Sequence, residues 1–223
     1  MALKTVIKVQ SIYLEKKKED IGMSLVIGLT GGIASGKSTV SNFLKEMDIT
    51  VVDADLEARL AVMKGESAYF KIIAEFGEDI LLANDEIDRQ KLGSIIFHQV
   101  EKRQRLNDIV HPEVRQRMSD QVEKAKRKKE EVIVLDIPLL FESKLTYMVD
   151  KTVLVFVDNE TQLKRLIARN NLSVEDAEAR IHSQMPLSDK IRLADAVINN
   201  NGSIADTKKQ LLEILAQFGI DKK

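Results

Sequence analysis

The chain has 223 residues, 44% of them hydrophobic and 31% charged, with a net charge of −1. That length suits one globular domain with embellishments or two small ones, and the near-neutral balance offers no global field for drawing in nucleic acid. The lack of cysteine excludes disulfides and thiolate metal sites, and no apolar run reaches the roughly 18 residues of a membrane helix, so a soluble, cytoplasmic protein is expected.

The opening stretch MALKTVIKVQSIYLEKKKEDIG has no apolar region followed by a small-residue cleavage site, so it does not read as a secretory signal. Lys18, Glu19 and Asp20 can be encoded by a purine-rich ribosome-binding sequence a short step upstream of Met23. Residues 1–22 are therefore expected to be a translated, non-native leader and residues 23–223 the domain proper. A real but dispensable N-terminal arm is the alternative.

After Met23, five short β-branched or apolar runs read as strands: residues 25–30, 49–52, 132–137, 152–157 and 196–198. Most do not alternate polar with apolar positions, which predicts strands covered on both faces. Between the first two lies a glycine-rich loop, then Val40, Phe43, Leu44 and Met47 at helical spacing. Strand, glycine loop, helix and strand open a βαβ unit, so the expected fold is α/β: a parallel five-stranded sheet in a three-layer arrangement. Two insertions interrupt the alternation. Residues 56–131 read as helices, with Pro112 in a first turn and His111 at its cap. Residues 159–195 are rich in Arg and Lys, and Ser173 with Asp176 resembles a capping pair. An acceptor-binding part and a lid are the expected roles.

The loop GLTGGIASGKST carries the chemistry. Gly31 to Ser38 satisfies G-x4-G-K-[ST], between a strand and an amphipathic helix, the context a phosphate cradle requires. Backbone N–H groups of Gly32, Ile33, Ala34, Ser35, Gly36 and Thr39 would surround the phosphates, Lys37 would reach the β- and γ-phosphates, and the Ser38 hydroxyl would bind Mg²⁺. Neither N-K-x-D nor D-x-x-G is present, which argues against a GTPase, and VIVLDIP ends in Asp136 without an adjacent Glu, unlike motor and transport ATPases. A small-metabolite kinase using ATP fits better. The second strand ends in VVDAD. Extended alternation would put Asp53 and Asp55 on one face at the carboxyl edge of the sheet, where a carboxylate can take the proton of an attacking hydroxyl. Arg59, one helical turn on, would bind an acceptor phosphate or pair with Asp55.

GLTGGIASGKST, DADLEAR, LNDIVHPEV, LDIPLLFE and ADAVINNNG occur in the order and spacing of dephospho-coenzyme A kinases, and the chain from Met23 onward resembles that family. The resemblance implies a P-loop kinase of the nucleoside-monophosphate-kinase type. Such an enzyme moves the γ-phosphate of ATP to the ribose 3′-hydroxyl of dephospho-CoA, the last step of coenzyme A synthesis. It implies Asp55 as catalytic base, Arg59 and His111 on the acceptor side, Asp136 near Mg²⁺, Arg169 closing over the phosphates, and Asn200 and Gly202 approaching adenine. Of Lys164, Arg165, Arg169, Arg180, Lys190 and Arg192, a pair would touch phosphate, Arg169 first, and the rest would be solvated. No nucleic-acid or membrane partner is expected, and the chain should be a monomer or weak homo-oligomer. A kinase for another small acceptor and an ATP-gated binding protein are the competing readings.

Overall fold

The computed structural model describes residues 24–221, so the expected leader, residues 1–22, lies outside the described part. Five strands form one parallel sheet: β1 (Leu25–Gly31), β2 (Thr50–Asp53), β3 (Val132–Asp136), β4 (Lys151–Phe156) and β5 (Ala196–Asn199). Their order is β2-β3-β1-β4-β5, with Leu29 beside Asp136 and Asp53 beside Asp136 in register. β1 is thus central: the chain leaves it for the β2 edge, returns to β3 beside it, and then crosses to β4 and β5 on its other side. This is the topological switch point at which open α/β sheets bind ligands beyond their carboxyl ends.

Double burial makes the strands apolar throughout. Ile27, Leu29, Val134, Val153 and Val155 face one core with Val40 and Leu44 of α1 (Lys37–Glu46) and Leu211 and Leu215 of α9 (Ile204–Gln217). Val26, Val52, Ile133 and Leu135 face the other, under α2 (Ala54–Ala61) and the second half of α5 (Val100–Arg127). Between α2 and α5 lie α3 (Ser67–Phe76) and α4 (Arg89–His98), whose Tyr69, Ile72 and Leu92 build a separate cluster with Ile80. The Arg/Lys-rich segment folds as α6 (Asn159–Asn170), α7 (Val174–His182) and the short α8 (Leu187–Ile191). Ser173 caps α7, its hydroxyl accepting from the Asp176 N–H at 3.0 Å.

Two sequence expectations are corrected. Pro112 does not open a helix but sits within the 28-residue α5, and His111 caps nothing. Pro cannot donate to the carbonyl four residues back. The helix continues because Val114, Met118, Val122 and Ala125 bury against the sheet on one side of it, while Leu106, Ile109 and Val110 pack into the α3–α4 cluster on the other. Pro112 itself is exposed, so solvent can satisfy the freed carbonyl. Strand alternation also stops short of Asp55: β2 ends at Asp53 and α2 begins at Ala54.

Candidate active site

The chain leaves β1 at Gly31, crosses the loop and enters α1 at Lys37. Gly36, the residue before α1, has φ 88°, in the left-handed region that glycine tolerates, and a Cβ there would fall 2.0 Å from the Asn200 amide nitrogen. No side chain caps α1 and no acid stands in its first turn, so its leading N–H groups and positive dipole end remain open to an anion.

The loop backbone is tethered from outside. The Gly31 carbonyl accepts from Lys190 Nζ at 3.3 Å, the Ile33 carbonyl from Gln162 Nε2 at 2.8 Å, and the Ser35 carbonyl from Asn200 Nδ2 at 2.8 Å. The Ile33 N–H donates to Gln184 Oε1 at 2.8 Å. Alternate carbonyls are thus held by protein donors, and because the Ile33 N–H goes to Gln184 and the Ser35 N–H to the Gly32 carbonyl at 3.1 Å, the expected cradle is carried by the remaining loop N–H groups.

A cavity of about 730 Å³ opens over this loop, lined by residues 32–38, Asp55, Pro138, Arg165, Ala168, Arg169 and Gln184. The Lys37 ammonium pairs with Asp136, whose carboxylate is buried at the end of β3. Burial raises the Asp136 carboxyl above the ordinary aspartate range. Lys37 and the Ser41 hydroxyl oppose that shift, while Asp53 adds to it.

Asp53 and Asp55 divide their work. Asp53 Oδ1 accepts from the N–H groups of Asp55 at 2.9 Å and Leu56 at 3.0 Å, making it the N-cap of α2. That leaves the exposed Asp55 carboxylate in the lining of the same cavity as the loop. Arg169 stands on the last turn of α6 at the cavity rim, its Nε donating to Asn170 Oδ1 at 2.8 Å.

Other predicted residues lie outside the lining. Arg59 is exposed in the last turn of α2, and His111 is exposed on α5. Asn200 is buried with both ends of its amide engaged, Nδ2 on the loop and Oδ1 accepting from Thr207 Oγ1 at 2.7 Å. Gly202 is exposed beside the Ser203–Asp206 capping box of α9. Lys190, expected to be solvated, is fully buried. Gln162, Gln184 and Arg165 went unsingled or unranked by sequence reasoning. Arg165 reaches the Asn200 carbonyl at 2.9 Å, and nothing in the local pattern distinguishes the two glutamines from solvated lid residues.

No three His, Asp or Glu side chains gather into a metal site among the described residues. The available donors near the loop are the Ser38 hydroxyl and Asp136. These hard oxygens suit Mg²⁺, which keeps several waters and is held largely by phosphate oxygens.

A phosphate loop at the switch point of this sheet, sharing one cavity with a carboxylate, defines a P-loop kinase. The chain belongs to the dephospho-CoA kinase family, whose profile matches residues 25–206. It is 55% identical to the dephospho-CoA kinase of Bacillus anthracis over 198 residues, covering 89% of this chain and 99% of that one. The Geobacillus kaustophilus dephospho-CoA kinase is also 55% identical, over 196 residues that cover 88% of this chain and 98% of the relative. The solved dephospho-CoA kinase of Campylobacter jejuni superposes with a TM-score of 0.69 at 28% identity, covering 88% of this chain and 98% of that one. A Thermus thermophilus protein of known crystal structure gives a TM-score of 0.73 at 33% identity, with 87% and 97% covered.

Proposed function

We propose that this chain transfers the γ-phosphoryl group of ATP to the ribose 3′-hydroxyl of dephospho-CoA, giving coenzyme A and ADP. The observation that carries the reading is a match to dephospho-CoA kinases along nearly their whole length, coinciding with a loop and carboxylate that share one cavity.

Loop N–H groups and the first turn of α1 hold the β- and γ-phosphates. A triphosphate in the loop offers Lys37 a second anion beside Asp136, so the ammonium shifts from neutralising a buried carboxylate toward neutralising charge on the transferring group. Asp55 approaches the acceptor hydroxyl from the same cavity lining and takes its proton. Ser38 and Asp136 would hold Mg²⁺, which would supply charge neutralisation for the phosphates. Arg169 completes the rim. Positioning and electrostatics provide most of the acceleration, because phosphoryl transfer asks little covalent chemistry of the protein. Arg59 and His111 serve the acceptor side, and Asn200 and Gly202 the adenine side, with Asn200 acting by holding the loop, because its side-chain amide, N–H and carbonyl all have protein partners.

The domain assignment belongs to the same reading: residues 23–223 form the kinase, 56–131 receive the acceptor and 159–195 form the lid, in a cytoplasmic monomer or weak homo-oligomer. Among the described residues no helix is long and apolar enough to cross a membrane.

The test is ADP release from Mg-ATP with dephospho-CoA, AMP, CMP or no acceptor, with the product identified by mass. Turnover with dephospho-CoA alone, yielding coenzyme A, is expected. Release with another acceptor, or with none, refutes the assignment.

A further inference from the structure

Among the described residues Lys190 is the largest fully buried side chain, 0% exposed, in a short helix at the end of the lid. It donates to Glu142 Oε1 at 2.8 Å and to the Gly31 carbonyl at 3.3 Å, the latter 159 positions away in sequence. Glu142 lies in the connection after β3, and the same Oε1 accepts from the Met185 N–H at 3.2 Å. Its other oxygen, Oε2, is buried with no partner. Three segments therefore meet through one ion pair at the root of the phosphate loop: the end of β1, the segment after β3 and the lid's return to β5.

Such a pair is a poor device for stability alone. Removing two charges from water costs more than their attraction commonly returns, and well-packed apolar replacements are often neutral or stabilising. The unpartnered Glu142 oxygen makes the balance worse. What the pair does accomplish is directional. It holds the first loop carbonyl away from the concave side, where an oxygen lone pair would repel a phosphate. Gln162 and Asn200 hold the Ile33 and Ser35 carbonyls in the same way, but only Lys190 does so with a formal charge. The contact is close: a Cβ on Gly32 would lie 2.8 Å from Gln162 Nε2 and 3.2 Å from Leu187, in the turn that carries Lys190.

We propose that Lys190, paired with Glu142, is a positioning residue that sets the conformation of the phosphate loop from the lid side, so that nucleotide affinity and turnover depend on a side chain outside the cavity lining. The turnover half of this inference rests on the proposed kinase activity; the nucleotide-binding half does not.

The experiment compares the full chain with Lys190→Met, Lys190→Arg, Glu142→Gln and the double variant Lys190→Met/Glu142→Gln. Each is measured for fluorescent ADP affinity with Mg²⁺, for thermal unfolding, and for kcat and KM with dephospho-CoA. The double variant leaves no buried unpaired charge, so it should unfold within a few degrees of the parent. It should still bind fluorescent ADP at least about 10-fold more weakly and lose at least about 10-fold in kcat, with KM for dephospho-CoA within about two-fold, the scale of a lost charge-assisted contact. Lys190→Arg, which keeps a cation and a donor, should recover most of the affinity. A double variant that regains both the unfolding temperature and the ADP affinity overturns the proposal and makes the pair merely structural. Should Lys190→Met alone fail to fold, the arginine and double variants decide the matter. A parent chain that binds ADP but transfers nothing to dephospho-CoA refutes the kinase reading while the affinity comparison still tests Lys190.

Discussion

Asp55 and Asp136 are both acids at the carboxyl edge of the sheet, yet their surroundings give them opposite circumstances. Asp55 is exposed on the cavity wall because Asp53 has taken over the capping of α2. Replacing Asp55 by Asn, or Lys37 by Ala, should lower kcat by about 100-fold or more with the fold intact, on the scale of a lost base or transition-state charge. Steady-state kinetics beside a melting curve checks both, and an Asp55→Asn enzyme with near-full turnover removes that residue from the base role. Burial raises the Asp136 carboxyl more than Lys37 and Ser41 lower it. The folded chain therefore binds that proton more tightly than the unfolded chain. The stability tied to it is fully present below the ordinary aspartate range and is lost as pH rises through the raised value. Asp136→Asn removes that loss, so its unfolding temperature should exceed the parent's at neutral pH. The advantage should vanish below about pH 4, where an ordinary aspartate is itself protonated. A stability penalty at pH 7 would show that the Lys37 pair outweighs desolvation.

At the scale of elements, α2 carries Asp55 and is itself fixed by a charge network. Glu57, only 5% exposed, accepts from Arg117 Nε of α5 at 2.8 Å, and the Arg117 NH1 reaches Glu66 at 3.1 Å. Truncating Arg117 to Ala strands Glu57 in a buried position beside few donors. Because Arg117 is itself partly exposed, the expected loss is discounted to about 2 kcal/mol, or about 4 to 8 °C for a chain of this size. Glu57→Ala/Arg117→Ala should lose less than the sum of the two single variants, and strict additivity by chemical denaturation would show that the pair is not coupled. The strands were legible in the sequence because burial on both faces writes uninterrupted Val, Ile and Leu runs, and the loop because its glycines serve backbone geometry. α5 was not legible as one helix. A local rule about Pro112 pointed to a helix start, while the apolar positions on either side, which hold the helix through it, acquire meaning only once the sheet and the α3–α4 cluster are in place.

For the whole molecule, the same division separates what local pattern could show from what required the fold. Lys37, Ser38 and Asp55 could be read locally because they stand within a few positions of a loop or strand end. Lys190, Gln162 and Asn200 act across 129 to 165 positions of sequence, and in the linear chain a lysine beside Asp189 looks solvated. Those long-range bonds also bear on how the lid works. Gln162 grips the loop from the first half of α6, whereas Arg169 lies seven residues further on, about 10 Å along the helix axis. The base of α6 is anchored to the phosphate loop and Arg169 sits at its far end, so under the proposed lid role a small change in the helix's inclination would carry the guanidinium toward or away from a bound γ-phosphate. On this basis Arg169→Ala should reduce kcat by about 100-fold while fluorescent ADP affinity changes by no more than about three-fold, because the contact develops with the transferring group. Arg169→Lys should recover little, since an ammonium lacks the planar fork that grips two phosphate oxygens. Gln162→Ala, which frees the anchor, should instead weaken ADP binding and turnover together. Equal losses of ADP affinity and kcat in Arg169→Ala would place that residue in ground-state binding, and the lid's base and tip would then act as one rigid part of the nucleotide site.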